Sequence, residues 1–300
     1  MKIDFVGYKS YLDERVKYYP FIKDMVDLYK GLIDIWDKAT TDDLSPLFCA
    51  EIPLNPPLIR RESGGFETGL SRERLSGGGS MLDMGKIGDI DFVNSVDTAR
   101  KIFNMMEEHK MAAAIMIANP SMENIVEFIK AGLSREDRYK NAILKWTLKP
   151  SFNHLFHPFN KGGLRGIWEK VNLSWNVGRC PVCSAPPGMA LVIDNAEGNE
   201  QRFLSCCFCG YRWLFSIIAC PACGNNKPEK HGFFVGDPGC EQGTRAISCE
   251  ECKTYIKTLF TGCREDMRKS EELDMDIEDV ATLPLDIISN QRGYSALCQM

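Results

Sequence analysis

The sequence predicts an α+β protein: an α-helical first half followed by two tandem four-cysteine ribbons. Three observations predict it. Eight cysteines fall into four C-x2-C pairs, Cys180/Cys183, Cys206/Cys209, Cys220/Cys223 and Cys249/Cys252. Between the pairs of each unit, two strand-like runs flank a turn-rich segment, the pattern of a β-hairpin. Upstream, apolar residues recur at the spacing of a helix face.

In the helical half, Tyr8 to Tyr19 and Phe21 to Ala39 carry the apolar set Phe21, Ile22, Met25, Leu28, Tyr29, Leu32, Ile33 and Trp36, with Pro20 marking a break or a start. A Gly/Pro-rich tract from about 46 to 88 follows and is expected to be a flexible loop. Helical patterning resumes at Ser95 or Asp97, runs to Lys110, and continues or kinks into Ala112 to Ala118. Ser121 to Ala131 is expected as a short helix closed by Gly132, and Ser134 as the cap of another through Lys145 and Trp146, with Glu136 and Asp137 in its first turn. An aromatic tract, Phe152 to Phe159, leads through Gly162, Gly163 and Gly166 toward Trp175. Asn160 to Arg179 is expected to connect the two halves.

The cysteine pairs point to metal by geometry. A C-x2-C turn sets two sulfurs on one side of a tight loop, and two such loops close a tetrahedral site around zinc or iron, with metal–sulfur distances of ~2.3 Å for zinc. The pairs in each unit are 22 and 25 residues apart, and a ten-residue link joins the units. Both leading pairs read C-P-x-C. Proline pre-sets φ inside the turn, and Gly210 and Gly224, each following a second cysteine, supply positive φ at the exit, where the first knuckle has Ser184. The hairpins run from Met189 to Ile193 and Arg202 to Ser205, and from His231 to Val235 and Thr244 to Ser248. This is the layout of a rubredoxin-like fold or zinc ribbon. Cys180, Cys183, Cys206 and Cys209 are the expected ligands of one metal, and Cys220, Cys223, Cys249 and Cys252 of the other. Four thiolates accept either metal.

Close cysteine pairs in a chain whose start lacks an apolar signal region argue against a disulfide framework, and no pair opens a helix as a thioredoxin-type motif requires. Cys49, Cys207, Cys240, Cys263 and Cys298 have no partner at ligand spacing, although Cys207 could exchange with Cys206. His154 and His157 are read as buried or semi-buried histidines of the tract FNHLFHPF, and His109 and His231 carry a weaker signal still. No phosphate loop, nucleophile elbow or HExxH motif is present, so a catalytic site is not expected.

Three hundred residues with 44% apolar content support a conventional core plus small metal-held domains. The longest strongly apolar run, Met111 to Ala118, is far short of the ~20 residues of a membrane span. With abundant thiols, this predicts a cytoplasmic protein without a membrane span. Residues 1 to 177 balance 24 basic against 24 acidic residues, while 178 to 300 hold 12 against 17, so the net charge of −5 sits in the ribbon half. Nucleic-acid binding rests on cations meeting phosphates, so this acidity disfavours a zinc-ribbon module binding nucleic acid or a transcription complex, the alternative for such a fold. A redox enzyme using iron or dithiols is a third reading. Tyr211, Arg212, Trp213 and Tyr255 beside the knuckles are candidates for partner contact or for packing the ribbon cores.

The segments RCPVCSAPPG (179 to 188), LSCCFCGYRW (204 to 213), ACPACGNN (219 to 226), SCEECKTYIKTLF (248 to 260) and DVATLPLDIISNQRGY (279 to 294) resemble the formate dehydrogenase accessory proteins of the FdhE type. NAILKWTLKPSF (141 to 152) is similar to the last N-terminal helix of that family. Ser184 for glycine, the extra Cys207 and the Gly-rich tract at 63 to 88 depart from its pattern. The resemblance implies a short C-terminal helix and two iron sites held by the same eight cysteines. It also implies a non-enzymatic role: binding the catalytic subunit of a molybdenum- or tungsten-dependent formate dehydrogenase and assisting its maturation. The expected organisation is a helical domain over 1–165, ribbons over 175–215 and 216–265, and a C-terminal helix and tail over 270–300.

Overall fold

The computed structural model describes residues 5–47, 82–108, 121–156, 175–194, 199–236, 243–263 and 273–298. Its first half holds the helices α1 (Phe5–Tyr18), α2 (Lys23–Lys38), α3 (Val93–Glu108), α4 (Met122–Ser134) and α5 (Ala142–Phe156). Most of the 46–88 tract, the run Ala112 to Ala118 and the glycines at 162, 163 and 166 lie outside the described residues.

Four details differ from the sequence reading. Pro20 opens a separate 3-10 turn, Pro20–Ile22, so α2 starts at Lys23. α3 starts at Val93, because the Asp42 carboxylate, far away in sequence, accepts from the amides of Asn94 and Ser95 at 2.9 and 2.8 Å. Ser134 ends α4 instead of capping the next helix: its hydroxyl donates back to the Lys130 carbonyl at 2.9 Å. The start of α5 is held by Asn141, whose side-chain oxygen accepts from the Leu144 amide at 3.0 Å.

α5 also runs through Pro150, taking in the start of the aromatic tract. A proline inside a helix has no N–H for the carbonyl four residues back. Here that carbonyl belongs to Trp146, and it accepts from the Trp36 indole N–H of α2 at 2.9 Å. The lost helix bond is thereby replaced by one between helices.

The ribbons supply β1 (Pro187–Asp194), β2 (Glu200–Cys206), β3 (Arg212–Phe215), β4 (His231–Phe234), β5 (Thr244–Cys249) and β6 (Thr254–Phe260). Each forms an antiparallel three-stranded unit, and the units merge through a parallel pairing of β1 with β6 (Met189 opposite Lys257) into one sheet of order β3-β2-β1-β6-β5-β4. A short final strand, β7 (Ser295–Ala296), pairs parallel with the start of β6.

The closing segment is two helices, α6 (Met275–Ala281) and α7 (Leu283–Gln291), because Thr282 and Pro284 interrupt it. α6 packs Ile277, Val280 and Ala281 into the core of α1 and α2 with Tyr8, Leu12 and Leu32. Its N-terminus carries Asp274 and Asp276, which meet Lys145 and Lys149 of α5. Lys145 lies 2.8 Å from Asp276, while Lys149 lies 2.8 Å from Asp274 and 2.6 Å from Asp276. On β6, Lys257 pairs with Asp279 at 2.8 Å and Asp286 at 2.6 Å. All three lysines are buried. The tail therefore clamps the helical half to the sheet through ion pairs whose lysines are buried.

Candidate metal centres

The structure brings the eight cysteines into two clusters, Cys180, Cys183, Cys206 and Cys209 in one, and Cys220, Cys223, Cys249 and Cys252 in the other. Within each cluster the sulfurs all lie within 4.8 Å of one another. In the first, Cys180 and Cys209 are 3.7 Å apart, Cys183 and Cys206 3.4 Å, and Cys183 and Cys209 3.6 Å. In the second, Cys220 and Cys252 are 3.6 Å apart and Cys223 and Cys249 3.7 Å. A tetrahedron with metal–sulfur bonds of ~2.3 Å has edges of about 3.8 Å. Both clusters fit a tetrathiolate metal ion, which would supply a cross-link between two loops and, were it iron, a redox centre.

The four knuckles share one backbone device. The amide four residues on donates to the carbonyl of the first cysteine in each: Ser184 to Cys180, Gly210 to Cys206, Gly224 to Cys220 and Lys253 to Cys249, at 2.8 to 3.2 Å. All four donors have positive φ, between 54° and 74°. Gly210 and Gly224 meet this demand as expected, while Ser184 and Lys253 adopt it against their Cβ, at roughly 1 kcal/mol each. We expect Ser184→Gly to raise stability by about 1 kcal/mol, read as a higher denaturant midpoint with unchanged slope.

Backbone amides also point at the sulfurs. Those of Phe208 and Cys209 donate to Cys206 Sγ at 3.4 Å, and those of Ala222 and Cys223 to Cys220 Sγ. Burial pushes the Cys180 and Cys209 thiols well up. Cys206 is also opposed by burial, yet the hydrogen bonds of its three cluster partners pull it well down. In the second cluster, hydrogen bonding from Cys220 draws Cys252 down to about 4, while burial lifts Cys223 to about 11. A dication that takes four cysteines as thiolates displaces the protons that burial holds on thiols such as Cys180, Cys209 and Cys223.

The two clusters have different surroundings. The first is fully buried and belongs to the main core, where Phe208 meets Phe152 of α5 edge to face at 5.6 Å between ring centres. Arg138, just before α5, donates to the Cys183 carbonyl at 3.0 Å, and the Leu82 amide donates to the Val182 carbonyl at 3.0 Å. The helical half therefore grips the first knuckle. In the second cluster, Cys223 and Cys252 are partly exposed.

The remaining candidates fall elsewhere. Cys207 is buried, stays out of the first cluster, and has the Cys298 thiol as its hydrogen-bond neighbour. His154 is exposed, contrary to the sequence reading, because it sits on the solvent side of the last turn of α5. His231 is half-buried against the Asn225 carbonyl. Cys49, Cys240, His109 and His157 lie outside the described residues, as does the side chain of Cys263. Tyr211, Trp213 and Tyr255 are buried, so of their two possible roles the structure assigns packing. The indole of Trp213 donates to the Val177 carbonyl at 3.0 Å, and the Tyr255 hydroxyl to Asp286 at 2.7 Å. Arg212 is half-buried and donates to the Leu273 carbonyl. Arg138 was not singled out in sequence, because nothing local marks an arginine that reaches a carbonyl 45 residues away.

Fold and site together define an α+β protein with a helical half and two four-cysteine ribbons sharing one sheet. A family model described as "FdhE, central domain" matches residues 179–216, the segment holding the whole first cluster. The chain is 28% identical over 120 residues to an FdhE homologue of Aquifex aeolicus, covering 40% of each chain. It is 33% identical over 116 residues to one of Stutzerimonas stutzeri, covering 39% of this chain and 35% of that one. The matched region thus spans 40% or less of the length of these relatives. The crystal structure of the FdhE protein from Pseudomonas aeruginosa shares the fold, with a TM-score of 0.58 at 18% identity over 97% of this chain and 93% of that one. These findings support the FdhE family, the resemblance drawn from the cysteine segments.

Proposed function

We propose that the eight clustered cysteines ligate two metal ions, iron or zinc. In this proposal the chain is a formate dehydrogenase accessory protein that binds the catalytic subunit of a molybdenum- or tungsten-dependent formate dehydrogenase and assists its assembly or activation in the cytoplasm, without catalysis of its own. The observation that carries the proposal is the coincidence of the FdhE central-domain match with four sulfurs converging at tetrathiolate spacing. The domain division proposed from sequence also fits this role: a helical domain braces the first centre and leaves the second nearer the surface. Among the described residues no helix is long and apolar enough to cross a membrane. The acidic ribbon half favours a protein partner over nucleic acid. Exposed apolar side chains on that half, Ile217, Ile218, Phe233 and Val235, offer contact area.

The test is anaerobic purification of the full chain from cells expressing a formate dehydrogenase. Two metals per chain and co-purification of the catalytic subunit are expected. A metal-free chain sinks the ligand assignment. Enzyme that matures normally in a deletion strain, with no subunit recovered, sinks the accessory role.

A further inference from the structure

The wall of the second cluster contains a buried arginine that comes from the first ribbon. Arg202 stands on β2, is only 4% exposed, and reaches the link leading into Cys220. Its Nη1 donates to the Ala219 carbonyl at 3.0 Å and, more weakly, to those of Ser216 and Ile217 at 3.4 Å. Nε and Nη2 are buried and have no hydrogen-bond partner. Among the described residues no carboxylate pairs with it; the Phe215 ring lies 6.0 Å from its guanidinium carbon, at the outer limit of cation–π attraction. Arg202 lines a cavity of about 10 Å³ together with Cys220 and Cys249, and the Cys220 sulfur is the group whose charge acts on the guanidinium.

A buried cation without a counter-ion is costly. A dication held by four thiolates carries surplus negative charge, and two of those cysteines, Cys220 and Cys249, line the cavity that Arg202 also lines. Lys253, the basic residue beside Cys252, pairs with Glu250 on the surface instead. We propose that Arg202 is the counter-charge of the second centre, a positioning residue that holds the metal by offsetting the negative charge of its four thiolates. The proposal rests on the reading of Cys220, Cys223, Cys249 and Cys252 as ligands.

The test uses full-length protein loaded with zinc and challenged with a chromogenic chelator. Cys223→Ser, lacking one second-site ligand, identifies which release phase belongs to that site. Arg202→Gln keeps donors for the carbonyls of the link and drops the charge, whereas Arg202→Lys keeps the charge. Outer-shell partners of metal ligands change affinity by roughly 10- to 100-fold. The expected result is that Arg202→Gln speeds second-site release by an amount in that range, leaves the first-site phase alone, and is largely rescued by Arg202→Lys. Wild-type release from Arg202→Gln overturns the proposal, as does Arg202→Lys releasing as fast as Arg202→Gln, which would assign the effect to the carbonyl contacts. A wild-type chain with no zinc at the second site instead overturns the ligand reading, and the proposal with it.

Discussion

Cys180→Ser is expected to lose one metal and the folded state together, while Cys223→Ser loses one metal and stays folded. Apparent binding free energies of structural zinc sites run to about 10–16 kcal/mol, the same size as or larger than the ~5–15 kcal/mol stability of a whole domain. The consequence depends on what surrounds the site. Cys180, Cys183, Cys206 and Cys209 are members of the main hydrophobic core, contiguous with Leu148 and Phe152 of α5 and with Trp213. Without its ligands in place that core opens from its centre. The second cluster lies outside the hydrophobic clusters, with Cys223 and Cys252 reached by solvent, and the ladder joining Thr244–Cys249 to Thr254–Leu259 is expected to survive its loss. Metal content and thermal melts followed by circular dichroism check this. Equal loss of structure in both variants would refute the asymmetry. The same reasoning orders chelation: the second centre empties first, without unfolding, and the first empties only as the chain unfolds.

Asp276→Asn should destabilise the protein by about 3–5 kcal/mol, the cost of removing one partner from a buried ion cluster. Asp276 bridges Lys145 and Lys149, both buried on α5, and its loss leaves both ammonium groups without that carboxylate. Burial works against the Asp276 charge, but the two lysines hold it at about 2 against an ordinary 3.8. The folded value lies below the unfolded one, so this stabilisation is fully present above about pH 4 and is lost as pH falls toward 2. Urea midpoints measured between pH 7 and pH 2.5 should fall steeply below pH 4 in the wild type, and less steeply in Asp276→Asn. Parallel curves would show that the cluster does not govern acid stability.

The two cysteine clusters were legible because a four-sulfur site leaves a local signature: two sulfurs per tight turn, with strand runs between them. All eight cysteines assemble as the spacing predicts, as do the hairpins around Asp194 and Val235. The positive φ at Ser184 sits at the exit position marked by Gly210 and Gly224, whereas that at Lys253 was hidden, since the knuckle's backbone hydrogen bond to Cys249 imposes a conformation that side-chain preference opposes. Helix limits failed where the deciding partner is distant in sequence. Asp42 starts α3, and Trp36 makes Pro150 tolerable inside α5, and neither event leaves a mark within its own helix.

The sequence by itself determined the α+β class and the two four-cysteine sets, because each depends on spacing within a few tens of residues. Only the tertiary structure decided that the ribbons merge through β1 and β6, that the first centre sits in the core and the second near solvent, and that a buried lysine–aspartate clamp joins the tail to α5. Those outcomes depend on which surfaces exclude water from one another. Burial of charge and of the cysteine clusters is a property of that whole packing, and no local pattern of residues encodes it.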